Sequence, residues 1–177
     1  MRYILKIQGV ILGILNSGPH SGYEIKRYFE ERFSFFFDAS FGTIYPTLRK
    51  METEYLITKK IVKQEGKPDK NIYNITDTGV ERFQEYLNAP LEKEVSNSDF
   101  LMRLYFGDMA TRETMEMLLC QALREYQDLY DKLNEKYEQY EDSPLIFQKS
   151  CIELGLIHYD SFIQKIKSIL TVVEKKK

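Results

Sequence analysis

Two stretches late in the chain space their apolar residues in alternating steps of four and three. The first runs Met115, Leu119, Ala122, Tyr126, Leu129, Leu133 and Tyr140, interrupted only by Lys136. The second runs Ile152, Leu156, Tyr159, Ile163, Ile166, Leu170 and Val173 without a break. A mean step of about 3.5 residues keeps one stripe facing one partner along a helix, so each stretch reads as a long helix with a seam. Asp142, Ser143 and Pro144 supply turn chemistry between them, which predicts a reversal and an antiparallel pair. Two seamed helices on a small domain leave more apolar surface than a monomer covers, and that predicts a dimer. The expected dimerisation residues are Leu119, Tyr126, Leu133, Ile152, Leu156, Tyr159, Ile163, Ile166 and Leu170.

The first half carries different periods. From Tyr3 to Leu15 apolar residues cover nearly every face, as in a helix buried on all sides between its own domain and another element or subunit. Asn16, Ser17, Gly18 and Pro19 end it with a turn, and Ser21 with Glu24 reads as a capping box opening a second helix. The aromatic connector Phe35 to Phe37 fits either a cap on the core or the wall of a small-molecule pocket. A third helix follows, with Ile44, Leu48, Met51 and Tyr55 on one stripe and Thr43, Pro46, Arg49, Lys50 and Thr53 on the other side. Thr43 as N-cap would put Pro46 in the first turn, where its missing N–H costs little. Residues 57–64 and 71–76 carry strand formers around the turn-rich Glu65 to Lys70, a β-hairpin with a basic tip. Thr76 opens a fourth helix, and Pro90 with the polar stretch after it marks a boundary.

Charge divides along the same line. Residues 1–75 hold 12 Lys/Arg against 8 Asp/Glu, a net of +4, whereas residues 76–177 hold 13 against 19, a net of −6. A polyanion would therefore meet the first part and not the second. No apolar run approaches the roughly 20 residues that span a bilayer, and Lys6 and Gln8 break the N-terminal run too early for a signal peptide. A cytoplasmic protein with no membrane partner is the expectation. Cys120 and Cys151 are expected as small buried hydrophobes, and His20 and His158 lie far apart with no metal-ligand spacing. With no Gly-rich phosphate loop and no convincing nucleophile, neither a catalytic residue, a metal nor a cofactor is expected, and the chain does not read as an enzyme.

Three helices, the third with a basic outer face, followed by a lysine-tipped hairpin describe a winged helix-turn-helix. The expected fold is mainly α with a small β-hairpin. It comprises a DNA-binding winged helix-turn-helix over residues 1–89, then an all-α dimerisation domain over residues 90–177 with long antiparallel helices. Double-stranded DNA and a second copy of the chain are the expected partners. The third helix would enter the major groove, where base edges present a unique code. Candidate contacts are Ser21 and Tyr23 at the second helix, Thr43, Tyr45, Arg49 and Lys50 on the third, and Lys63, Lys67 and Lys70 around the wing, with Lys59 and Lys60 beside them. A winged helix used only for protein–protein contact is the alternative, distinguished by a binding constant that ignores salt.

These residues also carry a family resemblance. Gly22-Tyr23-Glu24-Ile25, the run Ala39 to Leu48, the run Lys67 to Thr76 and the run Asp99 to Gly107 resemble the PadR-like transcriptional regulators over nearly the whole chain. The resemblance implies a homodimeric regulator, usually a repressor, whose long helices build the dimer, with a small-molecule effector as a further partner. Tyr55 departs from the family, which generally has glycine at the end of the recognition helix. A left-handed Tyr55 would cost about 1 kcal/mol, so a reshaped helix exit is expected there.

Overall fold

The computed structural model describes residues 2–33, 41–63, 66, 69–91, 98–139 and 145–175. The chain forms two compact units, Met1–Lys93 and Glu94–Lys177. The aromatic connector Phe35 to Phe37 and the wing residue Lys67 lie outside the described residues.

In the first unit, α1 (Arg2–Asn16) is the central helix. Ile7, Ile11, Leu12 and Leu15 are buried from several directions, in keeping with its apolar circumference. Strand β1 (His20–Ser21) leads into α2 (Gly22–Tyr28), which continues as one π-helical turn, Phe29–Phe33. Helix α3 (Phe41–Thr53) packs Ile44, Leu48 and Met51 onto α1 and α2, and strands β2 (Ile57–Val62) and β3 (Lys70–Ile75) make the wing. Helix α4 (Asp77–Asn88) closes the unit, its N-cap Thr76 accepting from Gly79 N–H at 3.0 Å. Gly79 has no room for a Cβ, which would strike the Leu56 carbonyl.

The sheet has three antiparallel strands in the order β1-β3-β2, one more than the expected hairpin. His20 and Ser21 pair with Tyr73 and Ile72, using the second edge of β3. The exit of α3 also differs from expectation. Tyr55 does take the left-handed conformation, with φ 57°. Leu56 N–H donates to Met51 C=O at 2.9 Å and Tyr55 N–H to Glu52 C=O at 3.1 Å, the paired bonds of a Schellman cap. Leu56 and Met51, both buried, make its apolar contact. The helix also starts two residues before Thr43, so Pro46 lies beyond the first turn.

The second unit holds α5 (Asp99–Tyr105), a 3-10 turn (Gly107–Met109), α6 (Arg112–Gln139) and α7 (Ile146–Lys175). Helices α6 and α7 pack on each other within one chain. Leu119, Leu133, Ile152, Tyr159, Ile163 and Ile166 are all buried there, and Tyr126 stacks on Phe162 at 4.7 Å. Tyr126, Leu156 and Leu170 are half-buried. Much of the expected dimerisation stripe is therefore covered by the other helix of the same protomer, because a 3.5-residue repeat fixes a face and not the owner of its partner. Cys120 and Cys151 are both exposed thiols, contrary to the buried positions expected of them. No helix among the described residues is long and apolar enough to cross a membrane.

Candidate nucleic-acid interface

Helix α3 presents two faces. One is the buried stripe of Ile44, Leu48 and Met51, joined by Thr47, whose hydroxyl donates to the Thr43 carbonyl at 2.6 Å. The other carries Tyr45, Pro46, Arg49 and Lys50, all exposed, with Thr43 at its edge. Arg49 has no acid partner among the described residues, so its guanidinium fork is available to a ligand. The Thr53 hydroxyl donates to the Arg49 carbonyl at 3.0 Å. Lys50 pairs with Glu54 at 3.6 Å, and Glu54 also accepts from the buried Gln8 of α1 at 3.0 Å, which anchors the end of α3.

Tyr45 is seated by a glycine. A Cβ on Gly22 would come within 2.9 Å of the Tyr45 ring, so the absence of a side chain there lets α2 and α3 approach with that ring between them. Tyr23, the next residue, is 62% exposed. Tyr23 and Tyr45 are thus exposed residues on neighbouring helices.

Ser21, a candidate contact by sequence, has its polar groups engaged within the chain. It is 3% exposed, and its hydroxyl donates to Glu24 Oε2 at 2.7 Å while accepting from Glu24 N–H at 3.2 Å. Its own N–H donates to the same oxygen at 2.7 Å, which completes the capping box read from the sequence. The hydroxyl is occupied, and a carboxylate already sits at that helix end. Those Ser21 bonds, helped by Lys70, hold the Glu24 carboxyl down to about 2.

The wing lysines divide into two groups. Lys60 and Lys63 are exposed, without an acid partner among the described residues. Lys59 pairs with Glu52 of α3 at 3.0 Å, and Lys70 pairs with Glu24 of α2 at 3.1 Å. The sequence alone hides both pairs, since each bridges two elements. Among the described residues no group of three or more His, Cys, Asp or Glu is placed to hold a metal.

Comparison with known proteins gives consistent matches. Residues 11–85 match the profile of the transcriptional regulator PadR-like family. The crystal structure of the PadR-like transcriptional regulator BC1756 from Bacillus cereus is similar at a TM-score of 0.87 and 36% identity, over 97% of this chain and 99% of that one. The negative transcriptional regulator PadR of Bacillus subtilis is 29% identical over 177 residues, 93% of this chain and 96% of that protein. Its crystal structure in complex with operator DNA is similar at a TM-score of 0.85 and 27% identity, over 94% and 98% of the two chains. Its complex with p-coumaric acid gives 0.79 and 25%, over 96% and 99%.

Proposed function

The chain belongs to the PadR-like family of transcriptional regulators, and on that premise we propose that it is a ligand-responsive repressor acting as a homodimer on a pseudo-palindromic operator. One observation carries the reading. The exposed face of α3 offers Arg49, with no acid partner among the described residues, beside Tyr45 and Thr43, on the same fold that the Bacillus subtilis regulator uses in its complex with operator DNA. In this reading residues 1–89 bind DNA, and residues 90–177 join two protomers. Arg49 reads a guanine edge in the major groove, with Thr43 and Tyr45 beside it and Tyr23 on the flanking backbone. Lys60 and Lys63 meet phosphates. The protein works in the cytoplasm, catalyses no reaction, and responds to a small molecule by analogy with the relative that binds p-coumaric acid.

Dimerisation uses apolar residues that the α6–α7 pair leaves outside, namely Leu129 on α6 with Leu154 and Ile157 on α7, all exposed. Selection of duplexes from a random-sequence pool by the full-length protein tests the whole proposal. The expected product is an inverted repeat with half-sites about one helical turn apart, bound at least about 10³-fold more tightly than random DNA. Failure to enrich any sequence, with binding that ignores salt, would favour a protein–protein module instead.

A further inference from the structure

Two ion pairs cross from the helix-turn-helix to the wing, and each occupies a lysine. Lys59 on β2 holds Glu52 of α3, and Lys70 at the start of β3 holds Glu24 of α2. The two lysines stand on opposite strands, across from Tyr73 and Val62. Glu24 is fixed in turn, because its second oxygen accepts both the N–H and the hydroxyl of Ser21. Lys60, Lys63 and Arg49 have no such partner among the described residues.

We propose that Glu24 and Glu52 are charge-masking residues of the DNA interface, each cancelling one wing lysine so that neither pair counts toward phosphate neutralisation. The inference rests on the DNA-binding reading above. A carboxylate held about 3 Å from an ammonium presents the phosphates with a neutral pair, and a neutral pair releases no net counterion. Were the lysine to swing to a phosphate, it would leave an uncompensated carboxylate in the same negative field. The wing therefore engages phosphates through Lys60 and Lys63 among its described lysines. The sequence-independent part of the affinity stays low, which limits retention on the many non-specific sites of a genome. The same two bonds set the wing against both helices, so masking and orientation come from one device.

The test is a competition titration of full-length Glu52→Gln and Glu24→Gln on a random duplex and on the enriched duplex, from 50 to 200 mM salt. Glutamine keeps an oxygen for the Ser21 N–H, so the α2 cap survives, and Glu52 caps no helix. Each variant frees one lysine in each protomer, so the log–log salt slope of a bound dimer is expected to steepen by about 1.8, roughly a 12-fold larger loss of affinity across that range. Glu52→Gln combined with Lys59→Ala exchanges one neutral pair for another and should restore the wild-type slope. A double variant flatter than wild type would mean that Lys59 was neutralising a phosphate all along. One as steep as Glu52→Gln would mean that removal of the negative charge, and not release of the lysine, was responsible. Either result overturns the masking. Unchanged slopes in both single variants, with a wild type that binds DNA in the usual salt-dependent way, overturn this inference alone. A wild type that binds neither duplex overturns the DNA reading with it.

Discussion

At the scale of single residues, Tyr55 and Glu24 give the sharpest tests. Tyr55 is 81% exposed and left-handed, so its side chain contributes little packing while its backbone carries strain. Tyr55→Gly should stabilise the protein by about 0.5 kcal/mol, the strain of about 1 kcal/mol less about 0.5 kcal/mol for the looser unfolded chain, read as a higher urea midpoint at unchanged slope. A lower midpoint would show that the ring holds something the strain argument leaves out. Glu24 gives a pH test. Its carboxyl titrates at about 2 when folded against 4.5 as the ordinary value, so its contribution is present above 4.5 and fades as pH falls toward 2. The side chain is 40% exposed, which limits that contribution to about 1 kcal/mol at most. The melting difference between wild type and Glu24→Gln should therefore be largest at neutral pH and shrink below pH 4. Parallel curves from pH 7 to pH 2 would contradict the sign.

At the scale of elements, what could be read from the sequence was what is local. The capping box of Ser21 and Glu24 spans three residues, and both of its bonds are present. The wing strands announce themselves through Ile57, Ile61, Ile72 and Ile75, and Thr76 through its place before α4. Strand β1 could not be read, because His20 and Ser21 have no strand propensity of their own and pair only because β3 offers a free edge. The left-handed Tyr55 goes against the reshaped helix exit expected there. Its conformation is imposed by the Leu56–Met51 contact of the Schellman cap, which outweighs the preference for glycine. The candidate interface was legible as a face and illegible as a charge pattern. Arg49 stands exposed as its spacing suggested, whereas Lys50, Lys59 and Lys70 are each held by a glutamate. Glu52 and Glu24 lie on other elements than Lys59 and Lys70, beyond what helical periodicity reports, whereas Lys50 and Glu54 stand four residues apart, a spacing that it does report.

At the scale of the whole molecule, the proposed dimer joins two protomers through the exposed Leu129, Leu154 and Ile157. Ile163 and Ile166 are 3% and 1% exposed within one chain, so Ile163→Asp with Ile166→Asp should unfold the second unit, at a cost of several kcal/mol. Leu154→Asp with Ile157→Asp, at 67% and 62% exposed, should instead give a folded monomer by light scattering and circular dichroism. An intact dimer after that change would move the interface elsewhere. A dimer that reads DNA through α3 is tested by titrating wild type and Arg49→Ala on the enriched duplex and on a random one. Each half-site loses one guanine contact, worth about 1–3 kcal/mol, so operator affinity should fall by about 2–6 kcal/mol per dimer. Affinity for the random duplex should fall far less, because no base contact is lost there. Equal losses on both duplexes would contradict the claim, since Arg49 would then be one more phosphate contact and α3 would not be the reading helix.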